Sequence, residues 1–343
     1  MSIFAPPITG DTPSTTEKLP PDRDIASLWR RIAAFIVDGL MVGVAGTVIA
    51  LPFFETFSHL GPWGRLVGFC ISLPYFAILD SSIGEGQTLG KRFMRVQVVD
   101  GNGDTISLWR SVLHYCVFAV PYFLNQLPLP TSRTPWIVSV LISLIIFGVG
   151  GGTLYLVIFN RHTRQGIHDL AAGSYVADAD KVGPLRIRPI WRMHWLILGS
   201  LLVALSLGTG ILSNKLAKSG TFSHLLDDVR LIELMAGVQS AGVQDLTWSQ
   251  WGGGETKKIF VINVYWTGNA DDEQAIADQV AKLILEHDSK VYERDVLKVV
   301  MIRGYDLGIA HAQVSNTFER TPADWNTRLF GTSPAEGTSP AKL

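Results

Sequence analysis

Arg31 and Asp38 lie seven residues apart in WRRIAAFIVDGLMVGVAGTVIALPFF, a run otherwise apolar enough to cross a bilayer. That spacing puts both on one side of a helix, about 10 Å apart along its axis. A carboxylate in hydrocarbon costs ~2.5–3.5 kcal/mol on insertion scales, so Asp38 needs a partner or a task. Comparable residues recur near the ends of later apolar runs. Asp80 closes a second, Arg110 and His114 open a third at i and i+4, and His168-Asp169 follow a fourth. Such a set can coordinate a cation or relay protons. Fully paired, it is instead an ion-pair network that holds helices in register, since removing one partner costs more than replacing both. The residues alone leave both readings open. A metal dyad at His168-Asp169 would need further ligands, so no metal and no cofactor is expected.

Five segments must position these groups: residues 32–54, 63–79, 108–125, 136–159 and 193–213. The second and third contain Pro74 and Pro121, and the fourth carries a GVGGG run that suits close helix approach. Only 17% of the 343 residues are charged, against about a quarter in soluble proteins, and mean hydropathy is +0.25. A formal charge of −1 gives no basis for binding nucleic acid. Cys70 and Cys116 lie in apolar runs and read as buried free thiols. Lys18, Arg23, Arg30 and Arg31 precede the first run. Lys91, Arg92 and Arg95 follow the second, and six further cations from Arg161 to Arg192 follow the fourth. The alternate connections hold Arg65 and Arg133. This asymmetry predicts a cytoplasmic N-terminus and an extracytoplasmic C-terminal region.

Residues 1–27 read as a disordered tail and 179–192 as a basic linker. Residues 214–325 read as a small α+β domain, and 326–343 as a second tail. Within the domain, KKIFVINVYW alternates as a strand and DDEQAIADQVAKLILEHD has a helical stripe at Ile276, Val280, Leu283 and Ile284. DVLKVVMIRGYDLGIAHAQVSNTF reads as two strands around a turn at Tyr305–Gly308. GGGE at 252–255 reads as a loop. No metal-spaced cluster and no nucleophile–base arrangement is evident there, so an enzyme is not expected.

WRRIAAFIVDGL, GQTLGKRFMRVQVVDGNGDTISL and RQGIHDLAAGSYV, in that order over residues 28–178, resemble the RDD family of bacterial membrane proteins. The resemblance implies a polytopic α-helical membrane protein: an RDD-type four-helix bundle, followed here by a fifth span and the α+β domain. It assigns the family's arginine to Arg31 and its aspartates to Asp38 and Asp169. It also marks Gly86, Thr88, Gly90, Lys91 and Arg92 as family-like, in a stretch that opens a cytoplasmic hairpin. VQVVDGNGDTISL should form two short strands around Gly101–Gly103. The family often has arginine where this chain has His114 and Leu170, which makes His114 a titratable replacement.

The family's activity is unassigned; proposals for it centre on transport, with cation/proton exchange suggested for some relatives. The expectation is therefore a multi-pass inner-membrane protein that moves a small cation or solute. Asp38 would be its titrating centre, with Arg31, Asp80, His114 and Asp169 as electrostatic partners. The rival is a membrane anchor or scaffold presenting residues 214–325 to an envelope protein. The lipid bilayer, a cation or proton, and a second copy of the chain are the other expected partners.

Overall fold

The computed structural model describes residues 23–125, 127, 134–218, 222–249 and 256–331. Of the expected tails at 1–27 and 326–343, residues 1–22 and 332–343 lie outside the described residues, as does the GGGE loop. The chain opens with helix α1 (Leu28–Ala50), whose buried residues Ala34, Asp38, Val42, Gly46 and Ala50 repeat every fourth position. One narrow stripe therefore faces the protein, while Phe35, Ile36, Leu40, Val44 and Val48 face outward. Asp38 belongs to the inward stripe. A short α2 (Phe54–Ser58) leads to α3 (Gly64–Leu79), then α4 (Leu89–Phe93) and strand β1 (Val96–Val99).

Next come α5 (Leu108–Leu124), α6 (Trp136–Leu144), α7 (Gly152–Phe159), α8 (Ile167–Ala172), β2 (Tyr175–Asp178) and α9 (Met193–Lys218). α3 and α5 run through Pro74 and Pro121 without ending. A π-helical turn, Ile145–Gly151, joins α6 to α7. Its glycines do allow close approach: a Cβ on Gly150 would lie 3.1 Å from Pro121 Cβ, and one on neighbouring Gly152 would lie 2.7 Å from Ile167 Cδ1.

Among the described residues, three helical stretches are long and apolar enough to cross a membrane: Leu28–Ser58, Gly61–Leu79 and Ile137–Phe159. Met193–Thr209 is a shorter apolar stretch. α5 has 17 residues, with Ser111, His114, Tyr115, Ala119, Pro121 and Phe123 buried. Cys70 is exposed on α3 rather than buried, and Cys116 is half-buried; both are free thiols.

β1 departs from expectation. Asp100 and Asp104 close the anticipated turn, with Gly103 N–H donating to Asp100 O at 3.1 Å. No second strand follows it. β1 instead pairs antiparallel with β2, Val96 opposite Asp178 and Val99 opposite Tyr175. Val96, Val98 and Val176 then share a core with Ala26, Ala34 and Ile106, and burying these apolar side chains outweighs the local hairpin.

The C-terminal region starts with α10 (Ser223–Glu233) and adds β3 (Val238–Ser249), β4 (Thr256–Trp266), α11 (Glu273–His287), β5 (Val296–Asp306), β6 (His311–Arg320) and α12 (Pro322–Phe330). The sheet order is β3-β4-β5-β6, with β4 and β5 parallel across α11 and the other pairs antiparallel. Phe260, Ile262 and Val264 of β4 pack with Leu297, Val299 and Met301 of β5 and with Val280 and Ile284 of α11. α12 carries order to Phe330, past the expected boundary at 325. It does so because Trp325 is fully buried and its indole N–H donates to Leu297 O at 3.0 Å.

This domain docks into the helices. The turn between β5 and β6 enters a slot floored by glycines of α1 and α3. A Cβ on Gly68 would lie 1.7 Å from Leu307 O, and one on Gly64 2.8 Å from Asp306 O. Leu307, fully buried, packs with Ala50, Phe54, Phe57 and Val67. Arg65 donates to Asp306 Oδ2 from Nε and Nη2 at 3.0 and 2.6 Å. Arg303 donates to Glu55 Oε2 at 2.5 Å and to Glu273 Oε1 at 3.2 Å.

Candidate functional site

At the end of the helices away from that turn, charged side chains from α1, α3, α4, α5 and α8 form one layer. α4 is built to meet Asp38. Thr88, its N-cap, accepts Lys91 N–H at 3.3 Å and donates its hydroxyl to Asp38 Oδ2 at 2.6 Å. Gly90 N–H donates to Asp38 Oδ1 at 2.8 Å, and Tyr75 OH donates to the same oxygen at 2.7 Å. Three neutral donors thus satisfy a carboxylate that is 1% exposed. Only glycine fits at position 90, because a Cβ would lie 2.3 Å from Ala34 O and 2.8 Å from Asp38 Cγ.

Lys91, the next residue, places Nζ 2.5 and 2.6 Å from the two oxygens of Asp80. Asp80 Oδ2 in turn lies 3.9 Å from His114 Nδ1. Across the imidazole, His114 Nε2 is 3.0 Å from Asp169 Oδ1. Asp169 Oδ2 accepts Arg31 Nη2 at 2.8 Å and Gly166 N–H at 2.9 Å, so this carboxylate also caps the start of α8. Asp169 has no exposure, and Asp80, His114 and His168 are all buried.

Despite its burial, the Arg31 guanidinium and the His114 hydrogen bond hold the Asp169 carboxyl well below the usual carboxylate range. Burial pushes the His168 imidazole down to about 3 against the pull of Asp169, so that ring is neutral. His168 stacks edge-on with His114 and Phe118, at ring separations of 4.7 and 5.2 Å.

The sequence put Arg31 and Asp38 on one side of a helix without direct contact; the structure pairs Arg31 with Asp169. The ~10 Å between Arg31 and Asp38 along one helix axis is beyond a direct contact, and α8 brings Asp169 within reach of the guanidinium. Arg110 also leaves the expected cluster. Although one turn from His114, its guanidinium donates to Ala172 O at 2.8 Å and Gly173 O at 2.7 Å, satisfying carbonyls at the end of α8. Arg92 stays near the surface, 3.6 Å from Glu85. Gly86 has φ +68° and accepts Val98 N–H at 2.8 Å, joining the α4 connection to β1.

The sequence reading missed Tyr75 and Gly166. A phenol in an apolar run was the available signal for Tyr75; nothing local marks Gly166. It also missed Arg65, Arg303, Glu55 and Asp306, which tie the two regions together.

His114, His168 and Asp169 are the one group of three among the described residues whose ligand atoms all lie within 4.8 Å of one another. Arg31 already occupies Asp169 Oδ2, so a resident divalent metal would have to displace a guanidinium. Among the described residues, Ser111 Oγ, Thr153 Oγ1 and His168 Nδ1 are buried without a hydrogen-bond partner.

Between the layer and the docked turn lies a pocket of about 90 Å³, lined by Phe35, Val42, Phe76, Phe118, Ala119 and Ile309 among others. A larger cleft of about 670 Å³ lies on the far side of the turn, between Arg65, Tyr122, Gln239, Trp266 and His311.

Residues 25–173 match the RDD family. The C-terminal extension lies outside that match. No curated protein and no solved structure shows significant similarity to the chain.

Proposed function

We propose that the protein is a membrane protein of the RDD kind that moves, or helps move, a small monovalent cation across the bacterial inner membrane in exchange for a proton, with His114, between Asp80 and Asp169, as the carrier of that proton. The observation that carries this reading is a charge imbalance in the buried layer. Arg31 and Lys91 are its fixed cations, facing three carboxylates, Asp38, Asp80 and Asp169. A proton on His114, placed between Asp80 and Asp169, neutralises the layer. So does a small cation, and the unpartnered oxygens of Ser111 and Thr153 are hard donors of the kind alkali cations take.

In this reading Asp38 is a structural anchor rather than the proton carrier, because its oxygens already accept from Tyr75, Thr88 and Gly90. The distribution of Lys and Arg supports five spans, a cytoplasmic charged layer and an extracytoplasmic α+β domain. In that orientation the Leu307–Ala310 turn closes the outer end, and transport requires it to withdraw. Proton-coupled Na⁺ or K⁺ flux into vesicles containing the purified protein tests the proposal. Flux no greater than in protein-free vesicles, with the protein folded, rejects it.

The docked turn favours a second reading, a membrane scaffold that presents the outer domain in fixed orientation to an envelope partner. Partner capture by the full chain, lost when the Arg65–Asp306 contact is broken, supports that reading.

A further inference from the structure

We propose that Arg161, Arg188 and Arg192, where the chain leaves α7 and enters α9, bind the headgroup of an anionic phospholipid. Two contacts hold these segments side by side. Tyr155 OH lies 3.0 Å from His194 Nδ1, which sets the first turn of α9 against α7. Beyond the end of α7, His162 Nε2 lies 3.4 Å from Arg188 Nη1. The chain leaving α7 and the chain entering α9 therefore run alongside each other in opposite directions.

This pairing gathers positive charge without a counter-charge. Residues 160–168 and 181–195 hold no Asp or Glu. Arg161, His162, Arg188 and Arg192 are all exposed. Among the described residues no carboxylate pairs with Arg161, Arg188 or Arg192, and the side chain facing Arg188 is a basic ring. Asp169, the next acid along the chain, is buried and held by Arg31. Other exposed cations of the helical region do have acids. Arg92 lies 3.6 Å from Glu85, Arg95 lies 3.6 Å from Asp180, and Lys181 pairs with Asp24.

Position selects a lipid over a soluble anion. Arg161 lies two residues past the apolar stretch Ile137–Phe159, and Arg192 directly precedes Met193–Thr209. Phe159, Trp191 and Trp195 are exposed beside them, and tryptophan is the ring that sits among headgroups. A guanidinium takes a phosphate through two parallel N–H bonds, and an anion between Arg188 and His162 would let both donate. Basic clusters between helices at a cytoplasmic face hold acidic headgroups in this way, and the orientation proposed above puts this end there. The inference rests on the membrane reading of the helices and not on transport.

Full-length protein in detergent is equilibrated with equal amounts of phosphatidylglycerol and phosphatidylcholine, and bound lipid is identified by native mass spectrometry. Phosphatidylglycerol should be retained about tenfold over phosphatidylcholine. Arg161→Gln/Arg188→Gln/Arg192→Gln should remove that preference, and lysine at the same three positions should keep most of it. Arg92→Gln/Arg95→Gln/Lys181→Gln, which removes equal charge from acid-paired positions, should leave it intact. All six residues are exposed, so both variants keep their fold. Equal retention of the two lipids by the wild type, or equal loss in both variants, overturns the proposal. So does a preference that survives the first variant. Displacement of the lipid by inorganic phosphate would assign the cluster to a free anion and overturn the lipid assignment. Membrane fractionation tests the underlying reading separately, because a chain recovered in the soluble fraction fails there before any lipid is offered.

Discussion

The Arg31 guanidinium meets the Asp169 carboxylate at 2.8 Å across 138 residues of chain, and Asp169 is wholly buried. The pair joins α1 to the cap of α8. Removing one partner leaves the other charged and unpaired, so Arg31→Met or Asp169→Asn should each cost ~3–5 kcal/mol. The double variant should cost less than the sum. A double-mutant cycle on unfolding in detergent reads the coupling; strict additivity would show that the contact contributes nothing specific.

Gly90 and Asp38 give the second prediction. A methyl at position 90 collides with Ala34 O, so Gly90→Ala should destabilise by ~1–3 kcal/mol. Gly39→Ala on the same contact helix is the control, because nothing lies within 4 Å of its added methyl. Equal Tm changes for the two would contradict the close docking of α4 on α1.

Much of the architecture was legible in the chain. The apolar runs, the alternation of Phe260, Ile262, Val264 and Trp266, and the stripe of α11 are local patterns fixed by helix and strand periodicity. The partners of Asp38 were not, since Tyr75, Thr88 and Gly90 come from 37, 50 and 52 residues away. The β1–β2 pairing failed for the same reason: a Gly-rich turn looks like a hairpin until a strand near residue 176 offers a better apolar face. The docked turn left one trace in the sequence, Leu307 and Ile309 flanking Gly308, apolar residues at a tip where a solvated turn would be polar.

That tip supplies the third prediction. Gly68→Leu should expel the β5–β6 turn, since even a Cβ meets Leu307 O. In a background lacking Cys70 and Cys116, Gly43→Cys with Ile309→Cys should form a disulfide, because Ile309 packs against this part of α1. Adding Gly68→Leu should abolish the cross-link. A cross-link that persists would mean the slot tolerates the larger side chain and that the turn is held elsewhere.

The Arg30–Asp178 pair fastens α1 to the small sheet at 2.9 Å. Partial burial raises the Asp178 carboxyl, but the Arg30 hydrogen bond, the Asp180 N–H and the charges of Arg30 and Lys181 outweigh it and lower the pKa. A depressed folded pKa means the unfolded chain binds the proton more readily. The stabilisation is therefore full above the ordinary aspartate pKa and fades as pH falls through the folded value. Asp178→Asn should flatten the acid limb of a Tm–pH curve; an unchanged limb would show that the pair carries none of it.

The most direct test of the central claim is Na⁺- or K⁺-driven proton movement in vesicles, comparing wild type, His114→Gln and Asp38→Asn. If His114 carries the proton, His114→Gln abolishes exchange while remaining folded, and any folded Asp38→Asn protein retains it. Exchange that survives His114→Gln, or that Asp38→Asn alone abolishes without loss of structure, would contradict the account.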